Sequence, residues 1–506
     1  MNKIGFDTEK YLQTQKKAIE DRLSKFSGRL YLEFGGKLLW DFHASRTLPG
    51  YDPNAKLALL KSLKKNLEVL YCVSAKQLAS GKIRGDFGFG YDQATITAIE
   101  DLSSAGLIVS GVIINRYEGE KSADIFCRRL KTMGITYYKR YEIKGYPENL
   151  DKIFSAEGYG RDEYVKVSQK LVVVWGAGPG SGKLSTCLGQ IYSEAKKGIN
   201  SGYAKFETFP VWDLPLKHPV NIAYEASTAD LGDFNVIDPF HKEFYGKDAV
   251  NYNRDVEAFP IIKKIFEKVL SKDNFSRSYA SPTDMGFNVI KQGIINDEII
   301  CDAAKKEINF YLFRYREEYK KGLIEEKTLF WMDKILKKIN INEEYLKTVS
   351  MARKARNEAK KSKDKGERGI YCGAAIELLD GKIIYGKNSS LLHAEAAAVL
   401  NAIKYLAKIP DKTDLIAKSV VKEVNQLKKQ IKEVSYSLNC TEALLALAVS
   451  GKNRKSAKQA QNYLGGLRGC FMHTTHQPSS ADQVLFRKLG IWVSTDGIVE
   501  KIRQDK

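Results

Sequence analysis

One segment constrains the fold of this chain more than any other, because a strand, a glycine-rich loop and a helix follow one another there. The five apolar residues LVVVW, from Leu171 to Trp175, are typical of a buried strand. The sequence GAGPGSGK follows, from Gly176 to Lys183, and apolar side chains then recur at helical spacing from Leu184 to Tyr192. This order is the structural context of a phosphate-binding loop in an α/β domain.

The glycine loop predicts a phosphate site for physical reasons. Glycines let successive backbone N–H groups point toward an anion, the helix N-terminus adds partial positive charge, and Lys183 adds a full one. The predicted phosphate-binding residues of this loop are Gly178, Gly180, Ser181, Gly182, Lys183 and Ser185. The loop departs from the GxxxxGK[ST] pattern at Ala177 and Leu184, so the ligand stays open between ATP and another phosphate-bearing molecule. A tight turn that binds nothing is the alternative.

Polar residues downstream of the loop supply the predicted catalytic group. Asp238 follows two β-branched residues, as a Mg²⁺-binding Asp often does in phosphate-loop enzymes, and Glu225 is its rival for that role. Arg254 is suited to clamp a phosphate with two hydrogen bonds. His241 completes the group. Any single one of these residues has an ordinary surface or ion-paired role as its alternative.

A second polar cluster is predicted near Lys37. The strand Leu30–Phe34 runs into Gly35-Gly36-Lys37, and Arg84 and Asp86 follow the next predicted strand. In open α/β sheets ligands lie outside the carboxyl ends of the strands, so we expect these side chains to meet there. The alternative is that the two glycines only turn the chain.

Strands alternate with helices over much of the sequence, which predicts βαβ units and doubly wound parallel sheets in a multidomain α/β protein. The predicted organisation is a Rossmann-like domain at 1–150, a phosphate-loop-like α/β domain at 151–290, a helical region at 291–368 and a C-terminal α/β domain at 369–506.

Long stretches of the sequence are recognisable. The strings YLEFGGKL, GAGPGSGKLSTCL, GYAKFETFPVWDLPLKHPVNIAYEA and AVNYNRDVEAFP resemble a family of uncharacterised bacterial proteins of about this length. The resemblance covers essentially the whole chain. It implies a cytoplasmic bacterial protein with several α/β domains and a helical insert, and it implies no particular activity.

The C-terminal domain is similar to the cytidine-deaminase fold at its start. A predicted hairpin turning at Asp380-Gly381 leads into a helix that begins His393-Ala394-Glu395. In deaminases such a His binds Zn²⁺ and such a Glu moves protons. The second half of that signature, PCxxC, is missing here because Cys440 stands alone, so we expect the fold without zinc.

A second possible metal cluster, Cys470-x-x-His473-x-x-His476, is disfavoured. If residues 469–474 form a strand, positions 470 and 473 face opposite sides of it, because side chains alternate. The two residues would then not share an ion.

Bulk properties restrict the class of function. The seven cysteines are widely spaced, which is typical of a reducing, cytoplasmic compartment, and no apolar run is long enough to predict a membrane span. The net charge of +20 is mostly lysine spread over helical faces, so nucleic acid is a possible partner but not the favoured one. We expect a homo-oligomeric transfer or ligation enzyme acting on a nucleotide or small phosphorylated molecule. A non-catalytic nucleotide-sensing or scaffold protein and a basic RNA-binding protein are the alternatives.

Overall fold

The computed structural model describes residues 4–81, 90–433 and 435–497. The chain divides into two compact units. The N-terminal unit comprises residues 4–225 and 233–301, and the C-terminal unit comprises the rest of the described chain, mainly from residue 302 onward.

A six-stranded sheet forms the centre of the N-terminal unit. All of its strand pairs are parallel, and the strand order is β4-β3-β2-β5-β1-β6. A separate two-stranded antiparallel pair, β7 and β8, lies in the same unit. The strands are β1 (Leu30–Phe34), β2 (Leu67–Ser74), β3 (Ile108–Tyr117), β4 (Tyr137–Tyr141), β5 (Leu171–Gly176), β6 (Gly202–Phe206), β7 (Asn235–Ile237) and β8 (Val250–Tyr252).

Helices cover both faces of this sheet because its strands are apolar on both sides. Leu32 and Val173 face one core, and Tyr31 and Val172 face the other, as the alternation of side chains along a strand requires. The helices of this unit are α1 (Thr8–Leu23), α2 (Phe42–Thr47), α3 (Ala55–Leu63), α4 (Ala75–Ala79), α5 (Tyr91–Ser104), α6 (Lys121–Thr132), α7 (Leu150–Ile153), α8 (Lys183–Ala195), α9 (Pro219–Ser227), α10 (Pro239–Tyr245), α11 (Asn253–Val269), α12 (Pro282–Met285) and α13 (Ile290–Gly293). Helices α3, α5 and α6 pack into the first core, and α8 and α11 pack into the second.

The position of β5 in the sheet decides where a ligand could bind. β5 pairs with β2 on one side and with β1 on the other. The strands expected in two domains, 1–150 and 151–290, therefore lie together in one sheet. The chain leaves β2 toward β3 and leaves β5 toward β6, in opposite directions across the sheet, so the carboxyl ends of β2 and β5 form a topological switch point.

The C-terminal unit combines helices with a mixed four-stranded sheet of order β10-β9-β11-β12. Its strands are β9 (Gly373–Glu377), β10 (Ile383–Lys387), β11 (Phe471–Thr474) and β12 (Trp492–Thr495). Its helices are α14 (Asp297–Lys320, which begins in the N-terminal unit), α15 (Glu326–Lys338), α16 (Lys347–Lys360), α17 (Ala394–Leu406), α18 (Lys418–Gln430), α19 (Cys440–Ser450), α20 (Lys455–Gln461) and α21 (Ser480–Leu489). The hairpin expected at Asp380-Gly381 is the antiparallel pair of β9 and β10.

Among the residues that the structure describes, no helix has both the length and the apolar composition needed to cross a lipid bilayer.

Candidate functional site

The glycine loop lies at the switch point, between β5 and α8. Gly178, Gly180 and Gly182 have φ angles of 148°, 73° and 86°, values that favour glycine over other residues. Within the described residues, the backbone N–H groups of Gly180, Gly182 and Lys183 donate to no protein acceptor. These donors stand at the N-terminus of a 13-residue helix, where the helix dipole favours an anion.

The loop is held in place by the neighbouring strands. The Asn115 side chain, in β3, donates from Nδ2 to the Ser181 carbonyl oxygen at 2.8 Å and accepts from the Thr186 hydroxyl at 3.2 Å. Ala177 N–H donates to the Cys72 carbonyl oxygen at 3.0 Å, and Gln77 donates to the Pro179 carbonyl oxygen at 3.0 Å. Strand β2, strand β3 and helix α4 therefore fix the loop before any ligand arrives.

The side chains of the loop differ in what they offer a ligand. Lys183 reaches back over the loop, with Nζ 3.4 Å from the Gly178 carbonyl oxygen. The Ser181 hydroxyl is buried and makes no hydrogen bond within the described chain. Ser185 lies 3.5 Å from the Tyr159 hydroxyl, one residue beyond the position of a Mg²⁺-binding hydroxyl in the phosphate-loop pattern. The loop thus supplies amide donors and one lysine, and its serines point toward the protein.

A buried charged cluster lies two strands away, at the end of β6. Lys205 Nζ contacts Asp255 Oδ2 at 2.5 Å and Glu207 Oε1 at 3.1 Å, and it also contacts the Tyr252 hydroxyl. The Tyr252 hydroxyl in turn donates to Glu207 Oε1 at 2.7 Å. We call these four residues the Lys205 cluster. In the sequence all four stand only within the strings GYAKFETFPVWDLPLKHPVNIAYEA and AVNYNRDVEAFP, and nothing in the spacing of β6 and α11 along the chain predicts that they meet.

The electrostatics of the Lys205 cluster favour proton transfer. Burial and the nearby Asp255 carboxylate raise the pKa of Glu207 to about 7, although the Lys205 ammonium works in the opposite direction. Burial alone would lower the pKa of Lys205, but Asp255 and Glu207 raise it well above its ordinary value. One carboxyl group therefore changes protonation near neutral pH beside a lysine that stays charged.

Glu207 also borders the turn after β1. A side chain at Gly35 would place its Cβ 2.7 Å from Glu207 Cγ, so only glycine leaves room for the carboxylate there. Gly36 accepts a hydrogen bond from Trp175 Nε1 at 3.2 Å. Lys37 is half-buried in the same turn. Arg84 and Asp86, its predicted neighbours, lie outside the described residues.

A cleft opens beside the Lys205 cluster. Its volume is about 40 Å³, it is open to solvent, and its lining includes Lys205, Glu207 and Asp255. The rest of its lining includes Trp212, Thr283 and Asn288. Glu207 therefore borders a small space that is connected to solvent.

The residues predicted to be catalytic lie elsewhere or are occupied by internal partners. Asp238 is fully buried and caps α10, where its two oxygens accept four hydrogen bonds, from Phe240, His241 and Thr283. Arg254 makes two hydrogen bonds to Asp233. These contacts engage the polar atoms of Asp238 and Arg254 within the protein.

The other two members of that predicted group are also largely enclosed. The His241 ring lies 3.2 Å from the Ser281 hydroxyl and packs against Trp212 and Tyr245. Glu225 is buried in α9, with 1% of its surface exposed. Among the described residues, neither Asp238 nor Glu225 belongs to a group of side chains close enough to hold a metal ion.

Two groups of ligand-type side chains do come together in the described chain. One is His218, Asp297 and Cys301 in the N-terminal unit, and the other is His393, Glu395 and His476 in the C-terminal unit. The second group joins two histidines that the sequence placed in different motifs.

The expected separation of Cys470 and His473 is confirmed. Cys470 is buried among apolar side chains, whereas the His473 ring lies 2.9 Å from the Ser494 hydroxyl and 3.3 Å from Asp496. The Cys470-x-x-His473-x-x-His476 motif therefore does not form one site.

Comparison with known proteins gives the relationships of the chain. Residues 4–340 match the family model described as domain of unknown function DUF1846, N-terminal, and residues 345–502 match its C-terminal counterpart. A UPF0371 protein of Clostridium tetani (strain Massachusetts / E88) is 46% identical over 495 residues, which cover 98% of this chain and 97% of the relative. A UPF0371 protein of Clostridium botulinum (strain ATCC 19397 / Type A) is 45% identical over 496 residues, with the same coverage. The chain therefore belongs to the DUF1846 (UPF0371) family, whose members include these bacterial proteins.

Proposed function

We propose that this protein is an enzyme that binds a nucleotide or another phosphorylated metabolite at the carboxyl edge of its parallel sheet and transfers a group to or from it. The phosphate lies against the loop amides and Lys183. Glu207 acts as the acid or base, and Lys205 stabilises negative charge that develops beside it. The observation that carries the proposal is a carboxyl group with a pKa of about 7, lining a cleft next to a charged lysine. General acid–base catalysis is most efficient when the pKa of the group lies near the working pH.

The spacing of the strands supports a shared ligand. The glycine loop follows β5, the Lys205 cluster begins at the end of β6, and only β1 lies between the two strands. Adjacent strands are about 4.8 Å apart, so the two groups are separated by roughly 10 Å. A phosphorylated small molecule can extend over that distance. Gly35 and Gly36, at the end of β1, keep the intervening edge free of side chains.

A magnesium ion fits this proposal as a companion of the phosphate. Mg²⁺ binds chiefly through substrate phosphates and one or two carboxylates. Asp238 is not proposed as a ligand of this ion, because four hydrogen bonds already occupy its oxygens. Glu225, the other predicted ligand, is 1% exposed and also interacts within the protein, so the proposed ion is held chiefly by the phosphate of the ligand.

We propose that the fold of the C-terminal unit is similar to that of the cytidine deaminases. It is supported by the antiparallel hairpin of β9 and β10, which leads into a helix that begins at His393 and Glu395. No deaminase chemistry is proposed.

Calorimetric titration of the full chain with ATP, GTP and inorganic phosphate, with and without Mg²⁺, tests the binding half of the proposal. Lys183→Ala removes one charge-assisted hydrogen bond, an interaction of about 1.5–3 kcal/mol, so affinity is expected to fall roughly ten- to a hundredfold. Lys170→Ala is the matched control, because Lys170 is exposed at the opposite end of the same strand. Failure of every phosphate compound to bind the wild type, or equal binding by Lys183→Ala, would overturn the proposal.

Turnover tests the catalytic half. Phosphate release and transfer to a panel of acceptors are measured for the wild type and for Glu207→Gln. We expect the variant to keep its affinity for the phosphate ligand and to lose turnover, together with the pH dependence near neutrality. Tight binding with no turnover in the wild type would instead favour the nucleotide-sensing alternative.

A further inference from the structure

His393, Glu395 and His476 converge on one point in the C-terminal unit. His393 Nδ1 lies 3.5 Å from Glu395 Oε1, and His476 Nε2 lies 2.9 Å from Glu395 Oε2. One ligand atom from each of the three residues lies within 4.8 Å of those of the other two. We call these residues the His–Glu–His group.

The local fold fixes each member of the group. His393 is the N-cap of α17, and its backbone N–H donates to the Leu438 carbonyl oxygen at 2.9 Å. Glu395 follows in the first turn of the same helix. His476 lies just beyond β11, where its carbonyl oxygen accepts hydrogen bonds from Thr474 and Thr495, each at 2.8 Å. The convergence is therefore held by backbone contacts as well as by the side chains.

The carboxylate of Glu395 contacts the two histidines but has no hydrogen bond of normal geometry in the described chain. It is fully buried. The contact with His476 at 2.9 Å is close, but its direction does not meet that geometry. Burying a carboxylate without compensation is strongly unfavourable, so a positive charge is needed beside it. Either a bound metal ion supplies that charge, or a protonated His476 does, since Glu395 and Cys372 raise the pKa of His476 well above its ordinary value against the effect of burial.

The separations match those around a metal ion. Zinc lies about 2.0–2.1 Å from histidine nitrogen and about 2.0–2.2 Å from carboxylate oxygen, so neighbouring ligands in a tetrahedral site are roughly 3.4 Å apart. In the His–Glu–His group the distances of 3.5 and 2.9 Å run to different oxygens of Glu395, and one ligand atom from each residue lies within 4.8 Å of the other two, so small side-chain rotations bring all three to a single ion. The side chains of His393 and His476 are 28% and 19% exposed, which leaves a path from solvent.

We propose that the His–Glu–His group binds a divalent transition-metal ion of the zinc type, with a fourth position open to water or a ligand. Two histidines and one carboxylate with an open position form a typical catalytic zinc arrangement. This ligand set differs from that of the deaminases, because Glu395 and His476 replace the cysteines of PCxxC. This proposal also revises the expectation that the domain binds no zinc, because that expectation was based on His393 and His476 as members of separate motifs.

The test uses the full chain, stripped of metal with a chelator and then titrated with Zn²⁺ and with Co²⁺. We expect one equivalent of tight binding in the C-terminal unit and visible Co²⁺ absorption bands of a four- or five-coordinate site. Changing residues that merely support metal ligands costs ten- to a hundredfold in affinity, so Glu395→Gln and His476→Gln are expected to weaken binding by at least about tenfold.

His218→Ala is the matched control, since it removes a histidine from the other ligand-type group, which contains Asp297 and Cys301. Tight binding that survives Glu395→Gln and is lost in His218→Ala would overturn the proposal, and so would the absence of tight binding to the wild type. If the buried variants fail to fold, His393→Gln replaces them, because His393 is partly exposed. Zinc is then expected to raise the melting temperature of the wild type and not that of His393→Gln, and an equal rise in both would contradict the site.

Discussion

Asn115 and Ser181 are joined by a hydrogen bond of 2.8 Å that ties β3 to the glycine loop. Asn115 is buried, and its amide oxygen also accepts from the Thr186 hydroxyl on α8. One amide therefore binds both the loop and the helix that the loop begins. A loop held in this way has a fixed backbone, which would lower the entropic cost of binding the proposed phosphate ligand.

Asn115→Ala is expected to destabilise the N-terminal unit by about 2–3 kcal/mol, because it leaves the Ser181 carbonyl group buried without its donor and the Thr186 hydroxyl without its acceptor, although that hydroxyl still accepts from the Cys72 thiol. Thr186→Val keeps the shape of its side chain and removes only one partner, so about 1 kcal/mol is expected for it. Urea denaturation gives both values. Equal costs for the two variants would show that Asn115 does not support the loop.

Gly182→Ala is expected to be far more damaging than Gly180→Ala. Both glycines have positive φ angles, of 86° and 73°, so each substitution costs about 1–2 kcal/mol in backbone strain. At Gly182 the new Cβ would also lie 2.6 Å from Asn115, whereas at Gly180 it would meet open space. The total loss of folding stability in Gly182→Ala should therefore exceed about 3 kcal/mol. Urea denaturation of both variants compares the two costs, and similar values would contradict the close packing of the loop against Asn115.

The sequence predicted local elements well because their signals are local. The strand Leu30–Phe34 has the expected position, and the loop from Gly176 to Lys183 joins a strand to a helix as its glycines indicated. Hydrophobic periodicity and glycine placement report on backbone conformation within a few residues. These local signals do not indicate which strands become neighbours in the sheet.

The site residues illustrate this limit of local sequence signals, because their contacts join segments that are distant in the sequence. Lys205 and Asp255 are 50 positions apart, and they meet only because β6 ends beside the start of α11. Asn115 carries no motif at all. Conversely, Asp238 had the right local pattern for a metal ligand, but that pattern also suits a helix N-cap, which is the role the packing gives it. Polar residues at the ends of strands and helices can take either role, and tertiary contacts decide between them.

Glu207 should make the N-terminal unit less stable as pH rises from about 4.5 to about 7. Its pKa is raised from the model-peptide value of 4.5 to about 7, so the folded chain binds more protons than the unfolded chain in that interval. Stability is then lost with increasing pH, on the order of 1–3 kcal/mol across the window. Glu207→Gln should remove this dependence, and Glu243→Gln, at an exposed position, should leave it unchanged. Urea denaturation at half-unit pH intervals measures the slopes, and a wild-type slope of the opposite sign would contradict the raised pKa.

Asp238→Ala separates a structural role from a metal-binding role. The carboxylate accepts four hydrogen bonds, two of them at the start of α10 and two from Thr283. Removing it sacrifices a helix cap and leaves buried donors unpaired, so a loss of about 2–4 kcal/mol is expected. Asp248→Ala is the control, since that side chain is 60% exposed and forms an ion pair with Lys242 at the surface, and its cost should stay below about 0.5 kcal/mol. Urea denaturation with and without Mg²⁺ completes the test. If Mg²⁺ stabilises the wild type but not Asp238→Ala, Asp238 is a metal ligand after all, and the assignment of its carboxylate to the helix cap is wrong.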